Sequence, residues 1–136
     1  MATRRRVDTS DGIAALSAWR TWYAAQAGTD SDTPVGDQNS SLPRTTLATA
    51  VRYTLEELAA VAPGRSVEVR VPPFGATQAV AGTVHRRGTP PTVVETDAHT
   101  WLELATGRLT WEEALDSGAL RASGQRADLS AYLPLA

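Results

Sequence analysis

The stretch that decides the fold runs from Val93 to Leu135 and reads VVETDAHTWLELATGRLTWEEALDSGALRASGQRADLSAYLPL. Its apolar spacing predicts a short strand over residues 92–96, two short helices, a further strand over residues 119–123 and a final amphipathic helix. The last helix would carry one apolar face, formed by Leu129, Tyr132 and Leu133. Neither short helix is long enough to be stable alone, so both must pack on a neighbouring sheet.

Capping residues mark the ends of the two short helices. Asp97 is placed to cap the first helix, and Gly107 lies where a left-handed residue ends it. Thr110 and Glu113 have the spacing of a capping box, in which each side chain binds the other residue's backbone amide. Gly118 is predicted to end the second helix.

Two longer helices are predicted upstream. The first covers residues 10–26, with Ser10 or Asp11 as its cap, and the second covers residues 43–62, with Pro43 in its first turn. Helical spacing on the first helix is shared by Ile13, Leu16, either Trp19 or Arg20, and Tyr23. The apolar stripe of the second helix consists of Leu47, Val51, Leu55 and Leu58.

Strict alternation in SVEVRVP, residues 66–72, predicts a strand with valines on one face and Glu68 and Arg70 on the other. A weaker strand is expected over residues 76–81. Together with the two strands of the C-terminal stretch, these give a small, mainly antiparallel sheet covered by helices. The predicted fold class is therefore α+β.

The chain is expected to form a single domain over residues 10–136, preceded by a flexible tail over residues 1–9. Residues 28–42 are polar and rich in glycine, serine and aspartate, and they are predicted to form a mobile loop.

Composition limits the partners and the compartment. The net charge is −2, the 13 basic residues are all arginine, and no apolar run is long enough to span a bilayer, so we expect neither nucleic-acid binding nor stable membrane insertion. The chain contains no cysteine and lacks the pattern of a signal peptide, which favours a cytoplasmic protein.

The sequence contains none of the usual catalytic or metal-binding motifs. His85 and His99 are the two histidines, and without a third ligand nearby they are expected to be exposed polar residues. No motif frames a serine nucleophile, and neighbouring glutamates on a helix do not face each other. The sequence therefore predicts no catalytic residues, no metal and no cofactor.

Aromatic and aliphatic residues instead suggest an apolar pocket. Several short amphipathic helices cover a sheet less completely than one long helix, and a gap between them would be lined by tryptophan, leucine and valine. Close packing of the same side chains in a core is the alternative. The candidate pocket residues are Val51, Leu55, Val69, Phe74, Trp101, Leu104, Trp111, Leu115, Tyr132 and Leu133. The candidate contacts to a ligand's head group are Arg52, His85, Arg86 and Arg87. The alternative is that Arg52 is an exposed side chain whose stem covers apolar surface and that residues 85–87 belong to a solvated loop.

The region from Glu95 to Leu135 resembles the C-terminal half of sterol carrier protein (type 2)-like domains. The resemblance rests on a D-x-x-x-W-L-x-L-x-x-G helix from Asp97 to Gly107, an E-A-x-x-x-G helix from Glu113 to Gly118, and an L-x-A-x-G strand from Leu120 to Gly124. Stand-alone actinobacterial members of the family are similar to two further stretches, VRYTLEELAAVAPGRSVEVRVPPFGATQ and RRGTPPTVVETD. This resemblance extends over residues 10–136.

The resemblance implies a five-stranded sheet with helices enclosing an apolar tunnel, the additional strand falling near residues 83–87. It also implies non-catalytic intracellular binding or transfer of an apolar ligand, such as a sterol, fatty acid or acyl-CoA, without a cofactor. The alternative function is a fully packed interaction or accessory module without a small-molecule ligand. Its contact elements would be residues 28–42 and the proline-rich residues 88–91.

Overall fold

The structure is a computed structural model that describes residues 5–27, 42–82, 92–123 and 129–135. The predicted α+β class is confirmed: four helices accompany one four-stranded sheet within the described residues. The helices are α1 (Thr9–Ala27), α2 (Arg44–Val61), α3 (Ala98–Ala105) and α4 (Trp111–Ser117). The strands are β1 (Val67–Val71), β2 (Gly75–Ala79), β3 (Thr92–Thr96) and β4 (Leu120–Ser123).

The sheet is mixed and has the order β2-β1-β3-β4. β1 and β2 are antiparallel, as are β3 and β4, whereas the central pair β1 and β3 is parallel, with Val69 opposite Val94. The expected count of five strands is wrong for the described residues, which form four. The additional strand expected near residues 83–87 falls outside the described part of the chain.

One face of the sheet is buried beneath the helices, as the alternation in β1 predicts. Val67, Val69 and Val71 are buried, while Arg70 is exposed and forms an ion pair with Glu68 at 2.6 Å on the other face. α2 contacts β2 and α3, α4 contacts β4, and α1 packs on the outer side of α2. The core therefore lies between the sheet and α2, α3 and α4, with α1 adding Leu16 and Trp19.

The predicted caps of the two short helices are confirmed. The Asp97 carboxylate accepts a hydrogen bond from the Thr100 amide, and Thr110 and Glu113 form the reciprocal capping box. Gly107 and Gly118 both have φ of +79°, the left-handed conformation that favours glycine at a helix end.

The N-terminus of α1 differs from the prediction. The carboxylate of Asp8, rather than Ser10 or Asp11, accepts hydrogen bonds from the amides of residues 10 and 11, because the helix begins at Thr9. Ile13, which was predicted to lie in the apolar stripe of this helix, instead faces solvent and is 55% exposed. α1 turns the adjacent Gly12 toward α2, where a Cβ would overlap the ring of Tyr53. This close approach sets which face of α1 is buried.

The predicted final helix is wrong for the described residues, in which a single 3₁₀ turn covers Ser130–Tyr132. Leu133 precedes a proline and is extended, with φ −109° and ψ 144°, because the proline ring disfavours helical backbone in the preceding residue. The chain then returns to the core, where the Leu135 amide donates to the carbonyl of Ala105 over 2.8 Å.

Candidate functional site

A groove of about 860 Å³ lies between α1 and α2 and ends at the turn before β2. Its lining combines short apolar side chains with hydroxyl and charged groups. The lining residues are Arg6, Val7, Asp8, Asp11, Ala14, Ala15, Ala18, Thr45, Thr46, Thr49, Arg52 and Phe74. Because α1 presents alanines and α2 presents mainly threonines here, the two helices leave open space along this part of their length.

The segment before α1 forms one end of the groove. The amides of Arg6 and Val7 donate to the two carboxylate oxygens of Glu56 on α2, at 2.9 and 3.2 Å. The guanidinium of Arg5 forms an ion pair with Glu57 at 2.7 Å. Residues 5–7, which fall in the segment expected to be a flexible tail, are thereby attached to α2.

Arg52 and Phe74 form the wall nearest the sheet. The Arg52 Nε donates to the carbonyl oxygen of Phe74 over 2.9 Å, which links α2 to the turn between β1 and β2. The guanidinium of Arg44 lies over the Phe74 ring, 5.0 Å from its centre. Two arginines of α2 thus contact the half-buried Phe74, Arg44 at its ring and Arg52 at its backbone carbonyl.

Four charged residues line the groove, two acidic and two basic. The carboxylate of Asp8 already accepts the first backbone amides of α1, and Asp11 lies in the first turn, where the helix dipole favours a negative charge. Arg52 uses one guanidinium N–H on Phe74, which leaves donors that can reach a ligand. The groove can therefore hold an apolar body together with a polar or charged end.

Most of the predicted pocket residues lie in the core. Val51, Leu55, Val69, Trp101, Leu104 and Trp111 are buried in one hydrophobic cluster. Trp101 is 0% exposed, and its indole N–H donates to the hydroxyl of Thr54 over 2.8 Å. A side chain beside a void that admits water retains accessible surface, so Trp101 borders no such void in this conformation. Val51 and Val69, also 0% exposed, are equally enclosed.

The remaining predicted residues have different surroundings. Tyr132 and Leu133 are half-buried and pack against the core, and Leu115 is 40% exposed on α4. Arg52 and Phe74 are the two members of the predicted set that line the groove. The head-group candidates His85, Arg86 and Arg87 lie outside the described residues.

A polar and aromatic cluster between α1 and α3 was not anticipated. The Trp19 Nε1 donates to the Nδ1 of His99 over 3.2 Å, and the imidazole of His99 stacks on Trp22 with the ring centres 4.9 Å apart. The Tyr23 hydroxyl donates to the Glu103 carboxylate over 2.6 Å. This hydrogen bond, together with burial, raises the pKa of Tyr23 above its ordinary value. His99, expected to be an exposed polar residue, instead helps to hold α1 in place.

The groove itself was also missed, since its signal in the sequence is weak. Ala14, Ala15 and Ala18 recur at helical spacing on α1 and could have indicated a face without bulky side chains. Nothing in that spacing shows which element faces them. Among the described residues, no group of three or more His, Cys, Asp or Glu side chains could hold a metal ion.

A family model described as a bacterial SCP ortholog matches residues 43–135 of the 136-residue chain. The match includes α2, the whole sheet, α3 and α4, and it begins after α1. No curated protein shows significant similarity to the chain. Within the described residues, no helix is both long and apolar enough to span a membrane.

Proposed function

The chain belongs to the bacterial sterol carrier protein-like family, and we propose that it binds and carries an apolar ligand without catalysing a reaction. The ligand class is a lipid, such as a fatty acyl compound or a sterol-like molecule. A cytoplasmic location is part of the same proposal.

The observation that carries the proposal is the groove between α1 and α2. Its volume of about 860 Å³ falls within the roughly 300–1,000 Å³ of typical small-molecule sites. Each methylene buried there would contribute about 0.8 kcal/mol, so an acyl chain needs few specific polar contacts to bind. Val7, Ala15 and Phe74 supply apolar contacts, and Arg52 supplies a cation for a head group.

The buried members of the predicted pocket set have a supporting role in this proposal. Val51 and Leu55 lie on α2, on either side of Arg52 in the sequence, and both are enclosed in the core. They fix the position of the helix that forms one wall of the groove. Trp101 adds to this support, because its hydrogen bond to Thr54 connects α3 to the same helix.

The test is to search for a co-purifying lipid and then to measure binding. Native mass spectrometry of gently purified protein is expected to show a bound lipid. After solvent extraction, addition of a fatty acid, an acyl-CoA or a sterol-like molecule should raise the melting temperature. At a ligand concentration about 100 times Kd, the added stability is about 2.7 kcal/mol.

A pair of variants locates the ligand. Phe74→Ala removes an apolar side chain from the groove and should reduce the lipid-induced rise in melting temperature. Leu109→Ala is the matched control, because Leu109 is also a partly buried side chain packed on the core but does not line the groove. Protein that carries no lipid and shows no thermal shift with any of the three ligand types would contradict the proposal.

The close packing around Trp101 favours one alternative, a fully packed accessory module whose surface binds another protein. That module would show no thermal shift with lipids, and it would capture a protein partner in a pull-down. Deletion of residues 84–91 would abolish the capture.

A further inference from the structure

The groove is lined partly by residues inside the family match and partly by residues that precede it. The family match begins at residue 43, yet more than half of the lining lies before it. Those earlier residues are Arg6, Val7, Asp8, Asp11, Ala14, Ala15 and Ala18. We infer that the N-terminal segment, residues 5–27, selects the ligand, an inference that rests on the function proposed above. It would select for a slender aliphatic chain with an anionic head group.

A selecting wall must be held in one position, and three attachments hold this segment. At its start, the amides of Arg6 and Val7 bind the Glu56 carboxylate. In the first turns of α1, Gly12 lies directly against the ring of Tyr53, so the two helices approach closely there. Burial raises the pKa of that tyrosine, consistent with a side chain enclosed by the packed helices.

The third attachment lies toward the C-terminal end of α1. Trp19 is fully buried and donates its indole N–H to His99, and Tyr23 donates to Glu103, so two hydrogen bonds join α1 to α3. The guanidinium of Arg108 lies over the rings of Trp19 and Tyr23, at 5.6 and 5.5 Å from their centres. With both ends attached, the distance between α1 and α2 is fixed across the groove.

The width of the groove depends on short side chains on α1. Ala14 and Ala18 are exposed and line the groove one turn apart, opposite the threonines of α2. A larger side chain at either position would occupy the space where an aliphatic chain would lie. Neither alanine is buried in the core, so enlarging it changes the groove without disturbing the packing beneath.

The charge preference follows from which groups remain available. Asp8 is occupied by backbone amides, and Asp11 lies at the positive end of the helix dipole. Arg6 on the N-terminal segment and Arg52 on α2 both line the groove. Guanidinium groups bind carboxylates and phosphates through paired hydrogen bonds, so two of them in a groove that also presents apolar side chains favour an anionic amphiphile.

Three probes with the same alkyl chain test the inference on the full-length protein: dodecanoate, dodecyl phosphate and uncharged dodecanol. Calorimetric titration should show that Ala18→Leu and Ala14→Leu each weaken binding of all three by about tenfold, equivalent to losing contact with about two methylene groups. Ala24→Leu is the matched control, because Ala24 is exposed on the same helix but does not line the groove. It should bind each probe as the wild type does.

Arg6→Gln separates the head group from the chain. We expect about a tenfold loss for dodecanoate and dodecyl phosphate and no change for dodecanol. The comparison of the two anions then shows whether a carboxylate or a phosphate is preferred. Circular dichroism and melting curves confirm that each variant is folded before binding is measured.

The outcomes separate this inference from the proposed function. Wild-type protein that binds none of the three probes would refute the selection of an aliphatic anion by residues 5–27, whereas the proposed function is tested separately by the co-purifying lipid and the thermal shifts described above. If the wild type binds but Ala18→Leu and Ala14→Leu behave like Ala24→Leu, the ligand lies elsewhere: lipid binding stands and the selecting role of residues 5–27 is refuted.

Discussion

Replacing Thr54 by valine should destabilise the protein by leaving a buried indole N–H without an acceptor. Thr54 and Trp101 are both 0% exposed, and the hydrogen bond between them, at 2.8 Å, joins α2 to α3. Valine has nearly the same shape as threonine, so it creates no cavity. The loss is therefore that of an unsatisfied buried donor, about 1–3 kcal/mol.

This loss converts into a measurable shift of the melting temperature. Unfolding entropy of about 2.1 cal/mol/K per residue, over a chain of this length, gives about 3.5 °C for each kcal/mol. Thr54→Val should therefore lower the melting temperature by about 3–10 °C, and urea titration should give a matching loss of unfolding free energy. Thr49→Val is the control on the same helix, since Thr49 donates only to the Thr45 carbonyl, and it should change stability by less than about 0.5 kcal/mol.

A double-mutant cycle shows whether the indole is responsible. In a Trp101→Phe background there is no indole N–H to lose its acceptor, so Thr54→Val should then leave the free energy of unfolding nearly unchanged. Equal losses from Thr54→Val in the two backgrounds would refute the reasoning, because the cost would then come from the threonine site alone.

Three further predictions concern α1 and the caps. Gly12→Ala should destabilise by about 1–3 kcal/mol, because the added methyl overlaps the Tyr53 ring, an effect reduced by alanine's higher helix propensity; unchanged urea unfolding would contradict it. The pKa of Tyr23 is raised, chiefly by its hydrogen bond to Glu103. The protonated tyrosine therefore stabilises the fold fully at pH values below its ordinary pKa of 10.0, and this stabilisation is lost as the pH rises through the folded-state pKa. The stability difference between the wild type and Tyr23→Phe should therefore shrink on the alkaline side, and a constant difference would count against it. Thr110→Ala removes the N-cap of α4 and should lower the free energy of unfolding by about 0.5–2 kcal/mol. An unchanged thermal unfolding curve would contradict the predicted role of this cap.

Elements whose determinants lie within a few residues were predictable from the sequence. The caps of α3 and α4 depend on residues three apart. The alternation of apolar and polar residues in β1 directly predicts which of its side chains are buried. α1 was less predictable, because its buried face depends on a distant contact: Gly12 meets Tyr53, and this contact leaves Ile13 exposed despite its apolar side chain. The Asp8 cap was missed because Ser10 and Asp11 are equally suitable residue types.

The groove was less predictable from the sequence than the fold, for a physical reason. Tryptophan and leucine suggest a pocket, but large apolar side chains also fill space efficiently, and Trp101 does so. The groove instead arises where side chains are small, at Ala14 and Ala18, and an absence of bulk produces no apolar pattern. Arg52 and Phe74, which line the groove, were among the sequence candidates because they flank predicted elements, whereas the position of Arg6 depends on how α1 folds back on α2.

The two faces of α2 have different surroundings, and under the proposed function one stabilises the fold and the other binds the ligand. Val51, Thr54 and Leu58 on one face are fully or almost fully buried and join the helix to the core, while Thr49 and Arg52 on the other face line the groove. A ligand in the groove would contact α1 and the outer face of α2 without separating the helices from the sheet. Binding would then require no opening of the core, and core variants such as Thr54→Val would lower stability while leaving the affinity of the folded protein for a lipid unchanged. A ligand that entered between α3 and the sheet would show the opposite behaviour, because loosening the contact of Trp101 would increase its affinity.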